Sequence, residues 1–295
     1  MRLENKASAR NGVDPVEEGV AYVYDALLGV DEPRLPVMPQ SARRIQAALL
    51  RGGALDTRKV SGLLSADPGL SARLLRLANS PLFSDMGTAR TPRQAIALVG
   101  EVLIQRMLCY AATDSLYHAS SPTTAPWFNC VLEHSQWVAR TAYALATLAG
   151  WERTRCVEAF VAGSLHDIGA LVALQILEQR PDLASDKKIV AEIVMQTHCK
   201  AGALLAEAWH LPEPYREVIE HHEQPIRLAA DASEALSLLE VVQCADLFHG
   251  RCPAVHSHAA LKRTRCKTRL GLPPDWELEK DPAFQGAFAQ AHALL

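Results

Sequence analysis

The stretch Phe160–Leu177, FVAGSLHDIGALVALQIL, decides how the chain must be read. Apart from its central His166-Asp167 pair it is apolar on every side. A helix with no polar face belongs in the middle of a bundle. By length it approaches a membrane span, but an aspartate at a bilayer centre costs roughly 2.5–3.5 kcal/mol. A buried helix in a soluble bundle is therefore the better reading. An ionised carboxylate taken out of water must be paired or bound to a cation, or it destabilises the fold. Something must face Asp167.

Candidates lie on the inner sides of other expected helices. His134 falls in step with Cys130, Val138 and Thr141 on the apolar side of a helix over 127–149, and Asp246 in step with Leu239 and Val242 on one over 233–249. His198 starts an Ala/Leu-rich helix ending at Trp209, and His221 and His222 close the helix that follows Pro214. Imidazole with carboxylate is the ligand set of a transition-metal or di-metal hydrolase site in a bundle core. Each residue alone has a plainer explanation. A core histidine is usually hydrogen-bonded, a His-His pair at a helix end meets the helix dipole, and Asp246 fits an ordinary buried carboxylate. Jointly those explanations weaken, because five helices would each need an unrelated reason for an inward polar group.

The rest of the chain agrees with an all-α fold. In 295 residues, 49% are hydrophobic and only 6% aromatic, with many Ala and Leu, a helix-leaning usage. No stretch alternates with the period of a strand, and no glycine-rich phosphate loop occurs. Residues 1–34 read as a leader with a short helix over Val16–Leu28, after which Pro33, Pro36 and Pro39 break the chain. Asp56 or Thr57 caps a helix through Val60 and Leu64. Gly69–Asn79 sets Leu70, Leu74 and Leu77 against Arg73 and Arg76, and Thr91-Pro92 opens a helix that Val102–Leu116 follows in helical period. HASSPTTAP (118–126) reads as a linker between two helical units. Further helices are expected over 155–178, 187–196, 198–209 and 213–222. Residues 251–295 form a less regular tail with a basic run, Lys262–Arg269, read as a solvated face.

Net charge is −3, which excludes a dedicated nucleic-acid binder or any global attraction to an anionic membrane. The opening MRLENKASARNG has no apolar core of a secretory signal. Seven scattered cysteines, never spaced as C-x-x-C, read as reduced thiols of a cytoplasmic protein.

The order His134, His166-Asp167, His198, His221-His222, Asp246 resembles the metal pattern of the HD superfamily of phosphohydrolases, including its HD-GYP branch. LPVMPQSARRI (35–45), DPGLSARLLRLANSPLF (67–83), RTPRQAIALVG (90–100), HCKAGALLAEAWHLP (198–212) and IEHHEQP (219–225) are similar to hallmark segments of the HDOD domain. The resemblance spans roughly residues 35–250. It implies an N-terminal helical subdomain over 35–118 and an HD-type helical bundle over 126–250. It also implies one or two divalent metals (Fe, Mn, Mg or Ni), or an emptied site, on His134, His166, Asp167, His198, His221, His222 and Asp246. HDOD proteins are regarded as bacterial regulatory modules, often beside response-regulator or cyclic-dinucleotide functions. Two departures matter. Active HD hydrolases typically carry a lysine three residues after the Asp, where this chain has Ala170, and Gln224-Pro225 stands where the cyclic-dinucleotide branch has its glycine-tyrosine-proline loop.

The reading favoured from sequence is a signal-transduction module that binds a signalling protein, or a nucleotide or cyclic dinucleotide, without catalysis. Its leader is too short for a receiver domain, so phosphorelay input comes from another chain. The alternative is a metal-dependent phosphohydrolase of phosphodiesters or nucleotides in which Asp167 is catalytic.

Overall fold

The computed structural model describes residues 14–29, 34–49, 56–80, 83, 87–100, 103–104, 110, 113, 116–225, 235–249 and 266–294. Among these, every regular element is a helix. The first five helices are α1 (Pro15–Leu28), α2 (Gln40–Leu49), α3 (Thr57–Ser65), α4 (Pro68–Ala78) and α5 (Pro92–Val99). The long elements follow: α6 (Ala125–Leu148), α7 (Arg153–Leu165), α8 (Ile168–Leu177), the single turn α9 (Pro181–Ala184), α10 (Lys187–Ala208), α11 (Glu213–His221), α12 (Leu238–His249) and α13 (Pro282–Ala291).

The starts are written in the sequence. Asp14, Asp56, Asp67, Asp186 and Asp281 each accept a backbone N–H of the first turn they precede. At α5, Thr91 accepts from the Gln94 amide while the Gln94 side chain accepts from the Arg90 amide, so two otherwise orphaned donors are satisfied at one end. Proline opens α1, α4, α5, α9 and α13, where its missing N–H costs nothing.

Two expectations about element bounds are corrected. The run over 155–178 is two helices, broken at His166-Asp167, where Asp167 leaves helical geometry (φ −101°, ψ 18°). Conversely, 187–196 and 198–209 are one helix, α10. Most of Val102–Leu116, and residues 233–234 and Lys262–Arg265 with them, lie outside the described residues.

In the core, α6 packs along α7, α8 along α10, and α12 lies across α6 and α7. The window that resembles a membrane span, within Arg153–Leu177, is 94% buried inside this bundle. α1 packs on α10 and α8, and α13 packs on α6, with Arg140 over the Phe288 ring at 4.4 Å. The segment read as a linker ends at α6, which begins at Ala125, and it is fastened to the end of α8, since the amides of Ser120 and Ser121 and the Thr124 hydroxyl all donate to Glu178 Oε1. Between α2, the segment before it and the end of α10, Gln46 donates to Trp209 O (2.9 Å) and Trp209 Nε1 donates to Pro36 O (2.8 Å).

One contact fixes the position of the functional cluster. α8 and α10 touch backbone to backbone at Gly169 and Gly202. A Cβ on Gly169 would stand 1.9 Å from His198 O and 2.4 Å from Gly202 N. Only glycine permits this approach, and it lies two residues past Asp167 and one turn past His198.

Candidate metal centre

Asp167 is fully buried at the α7–α8 break, and four imidazoles converge on it. On one side, His134 Nε2 and His166 Nε2 lie 3.3 and 3.2 Å from Asp167 Oδ2, and 3.1 Å from each other. Asp246 Oδ1, from α12, stands 3.2 Å from His134 Nε2. On the other side, His222 Nε2 and His198 Nε2 lie 3.2 and 3.7 Å from Asp167 Oδ1, and 3.2 Å from each other. The cluster has two lobes with Asp167 shared between them.

The outer ring nitrogens set the inner ones. His166 Nδ1 donates to Gly163 O at 2.7 Å, a carbonyl of the last turn of α7. His198 Nδ1 donates to Val194 O (3.0 Å) and Met195 O (3.1 Å), and His222 Nδ1 to Val218 O (3.2 Å) and Ile219 O (3.1 Å). A ring with its proton on Nδ1 presents a lone pair at Nε2. At His198 and His222 two such lone pairs stand 3.2 Å apart and repel unless positive charge lies between them. Neither Asp167 oxygen receives a conventional hydrogen bond. A cation with ligand bonds of about 2.0–2.2 Å separates its donors by about 2.8–3.6 Å, and these donor separations fall in this range save the 3.7 Å between His198 Nε2 and Asp167 Oδ1. The donor set fits a divalent metal.

Electrostatics agree. Burial pulls His134 down, but the carboxylates of Asp167 and Asp246 reverse this and hold it up at about 10. His222 is treated likewise by Asp167 and held at about 9, whereas burial dominates at His198 and lowers it to about 4. Burial opposes the charge on Asp167, yet the surrounding imidazoles keep its carboxyl well below the usual range. Without an ion, protons at His134 and His222 supply the positive charge the site requires.

Of the residues expected from sequence, His134, His166, Asp167, His198, His222 and Asp246 come together. His221 does not. Neighbouring residues on a helix point about 100° apart, so only one of the pair faces inward. His221 instead lines a cleft of about 640 Å³ with Glu213, Glu217 and Gln243, and its Nδ1 accepts from Gln224 Nε2 at 2.8 Å. Other contributors escaped the sequence reading. His249, one turn past Asp246 on α12, meets His134 Nδ1 at 2.8 Å and stacks on Trp137 at 4.6 Å, fixing the His134 ring from behind. Gln243 donates to His221 O and Gln224 O, holding the turn that follows His222. Cys199 places its sulfur 3.3 Å from His198 Nε2. Ala170 is fully buried, with its amide donating to Asp167 O at 2.9 Å.

Residues 35–225 match the HDOD domain model, well over half of the chain. The chain belongs to the HDOD domain family. A curated relative, an uncharacterized protein of Treponema pallidum (strain Nichols), is 24% identical over 204 residues, covering 65% of this chain and 38% of that protein. The chain thus spans 38% of the length of the curated relative it matches. Among solved structures, one from Shewanella amazonensis SB2B, named as a candidate metal-dependent phosphohydrolase, superposes with a TM-score of 0.79. It is 20% identical and covers 96% of this HDOD chain and 99% of its own. An HDOD domain protein of Geobacter sulfurreducens with unknown function gives 0.54 at 24% identity, covering 94% and 89%. A candidate signal-transduction protein of Marinobacter aquaeolei VT8 gives 0.58 at 16% identity, covering 96% and 65%. At these identities the likeness establishes the helical HD-type fold. The sequence resemblance to HDOD proteins and the all-α expectation both hold.

Proposed function

We propose that this HDOD chain is a cytoplasmic regulatory module of bacterial signal transduction that works by binding a partner protein, and that its buried cluster holds divalent metal as part of the fold. The observation that carries this reading is enclosure. None of His134, His166, Asp167, His198, His222 and Asp246 is more than 6% exposed, so the donors are turned to one another and away from any substrate. At Ala170 a methyl buried in the core takes the place of an amine able to meet a phosphate. The described cysteines Cys130, Cys156, Cys199, Cys244 and Cys266 are free thiols, in keeping with a reducing compartment.

A second reading has its own support: two sets of donors share one bridging carboxylate, the arrangement of a two-metal phosphohydrolase. Metal bound there would supply Lewis-acid polarisation of a phosphoryl oxygen. His134, His166 and Asp246 would hold one ion and His198 and His222 the other, with Asp167 between. The Nδ1 hydrogen bonds keep the rings of His166, His198 and His222 in the ligating tautomer.

One assay separates the readings. The protein, loaded with Mn²⁺ or Fe²⁺ and analysed for metal content, is given a generic phosphodiester. Binding without turnover above buffer is expected. Turnover that disappears in Asp167→Ala would overturn the regulatory proposal and establish the hydrolase.

A further inference from the structure

We infer that Cys199 is a metal ligand, making the lobe formed with His198 and His222 a mixed nitrogen, oxygen and sulfur site. The inference rests on the cluster holding metal and adds which donor and which class of metal this chain has selected. Cys199 Sγ and one ring nitrogen each of His198 and His222 all lie within 4.8 Å of one another. The sulfur is 3.3 Å from His198 Nε2, and His198 Nε2 is 3.2 Å from His222 Nε2. Bonds of about 2.3 Å to sulfur and about 2.0 Å to nitrogen on a tetrahedral ion require edges of about 3.5 and about 3.3 Å. The sulfur–His198 and His198–His222 separations lie close to those edges, and the sulfur is within 4.8 Å of the His222 donor. Independently, Asp167 Oδ1 is fully buried, lacks a hydrogen-bond donor and is aimed into the same lobe, 3.2 Å from His222 Nε2.

Adjacent residues of one helix seldom share an ion, and the geometry shows how these two do. The His198 ring is drawn back along α10 by its Nδ1 bonds to Val194 O and Met195 O, which brings Nε2 round toward the short side chain of Cys199. Burial, with the charges of Asp167 and Glu223, pushes the Cys199 thiol up to about 12, and a hydrogen bond from the Glu223 backbone opposes this only in part, so the sulfur carries its proton until an ion arrives. On binding, the S–H proton leaves to solvent as the metal–sulfur bond forms. A thiolate in the set disfavours Mg²⁺ and Mn²⁺ and favours Zn²⁺, Fe²⁺ or Co²⁺. The Asp246 lobe, with only imidazole and carboxylate donors, keeps the broader preference.

The test is Co²⁺ titration of the metal-free full chain under anaerobic reducing conditions. A near-ultraviolet thiolate-to-cobalt charge-transfer band is expected in the wild type and not in Cys199→Ser or Cys199→Ala. Visible ligand-field bands should persist in both variants, with Zn²⁺ affinity in this lobe falling about tenfold or more. Circular dichroism verifies that the variants fold. Wild-type protein gives a second readout, because Zn²⁺ should shield Cys199 from iodoacetamide in peptide-resolved mass spectrometry. Cobalt bound without the band, a band that survives in the variants, or alkylation of Cys199 unaffected by Zn²⁺ would overturn the assignment and leave the metal reading of the cluster intact. No cobalt bound at all would overturn both.

Discussion

Gly169→Ala is a one-carbon change whose effect follows directly from the coordinates. The added Cβ would meet three backbone atoms of α10, with His198 O at 1.9 Å, Gly202 N at 2.4 Å and Gly202 Cα at 2.8 Å. No rotamer relieves a clash with backbone. Ordinary van der Waals contact begins at 3.4 Å, so α8 and α10 must part by about 1.5 Å, the difference between 3.4 and 1.9. Overpacking of this kind costs typically about 1–3 kcal/mol and sometimes more, a fall in Tm on the order of 5 °C or more. The same displacement carries His198 away from Asp167, now 3.7 Å distant, whereas ligation tolerates only about 0.2 Å. The variant should melt lower and should also lose the ion held by His198 and His222. Gly286→Ala on the exposed face of α13, where an added Cβ meets nothing within 4 Å, is the control and should gain up to about 1 kcal/mol in helix propensity. Thermal melts with and without chelator, together with elemental analysis, read both effects. A Gly169→Ala protein that melts with the wild type and holds the same ions would refute the reasoning.

Other outcomes follow from the same geometry. His222→Ala should remove one ion per chain, whereas His221→Ala should leave metal stoichiometry unchanged, as measured on dialysed protein by elemental analysis. Metal uptake should strengthen as pH rises from 6 toward about 9. His134 and His222 are held at about 10 and about 9 when no ion is bound, so an entering cation displaces their protons; competition with a chromogenic chelator at several pH values measures this, and a flat profile would count against it. Arg269 bonds Glu240 at 2.5 and 3.1 Å, tying the C-terminal segment to α12, and this holds the Glu240 carboxyl below its usual range against the opposing effect of burial. A depressed acid stabilises above its unfolded pKa and ceases to do so as pH falls through its folded value. Glu240→Gln should therefore cost about 2 kcal/mol at pH 7, with the gap to wild type closing toward pH 3 in urea melts.

The sequence revealed the inner helices and most of the cluster because a buried charge demands partners, and the demand at Asp167 could be met only by polar groups on other apolar faces. It did not reveal the break at His166-Asp167, since a run apolar on every side carries no phase to show where the axis turns. The choice between His221 and His222 was legible in principle. Tyr215, Val218 and Ile219 define the buried face of α11, and His222 lies seven, four and three residues beyond them, while His221 follows the exposed Glu217. His249 was hidden because its role is to orient His134 from a helix end rather than to face the core. Gly169 and Gly202 read as ordinary helix-interior glycines until the two axes are seen to touch. Cys199 was set aside with the other thiols, because nothing in its spacing places a sulfur beside a neighbouring imidazole.

The claim beneath all of this is that Asp167 and the imidazoles around it are a cation site. Its most direct test is the melting temperature of wild type and Asp167→Asn, each with and without a strong chelator, with metal content measured on the same samples. The account predicts that wild type carries metal and loses thermal stability when it is stripped, by about 2.7 kcal/mol if free metal stood at a hundred times its Kd, and that Asp167→Asn carries less metal and does not respond to the chelator. Equal chelator responses in the two proteins, or a metal-free wild type with an unchanged melt, would contradict it.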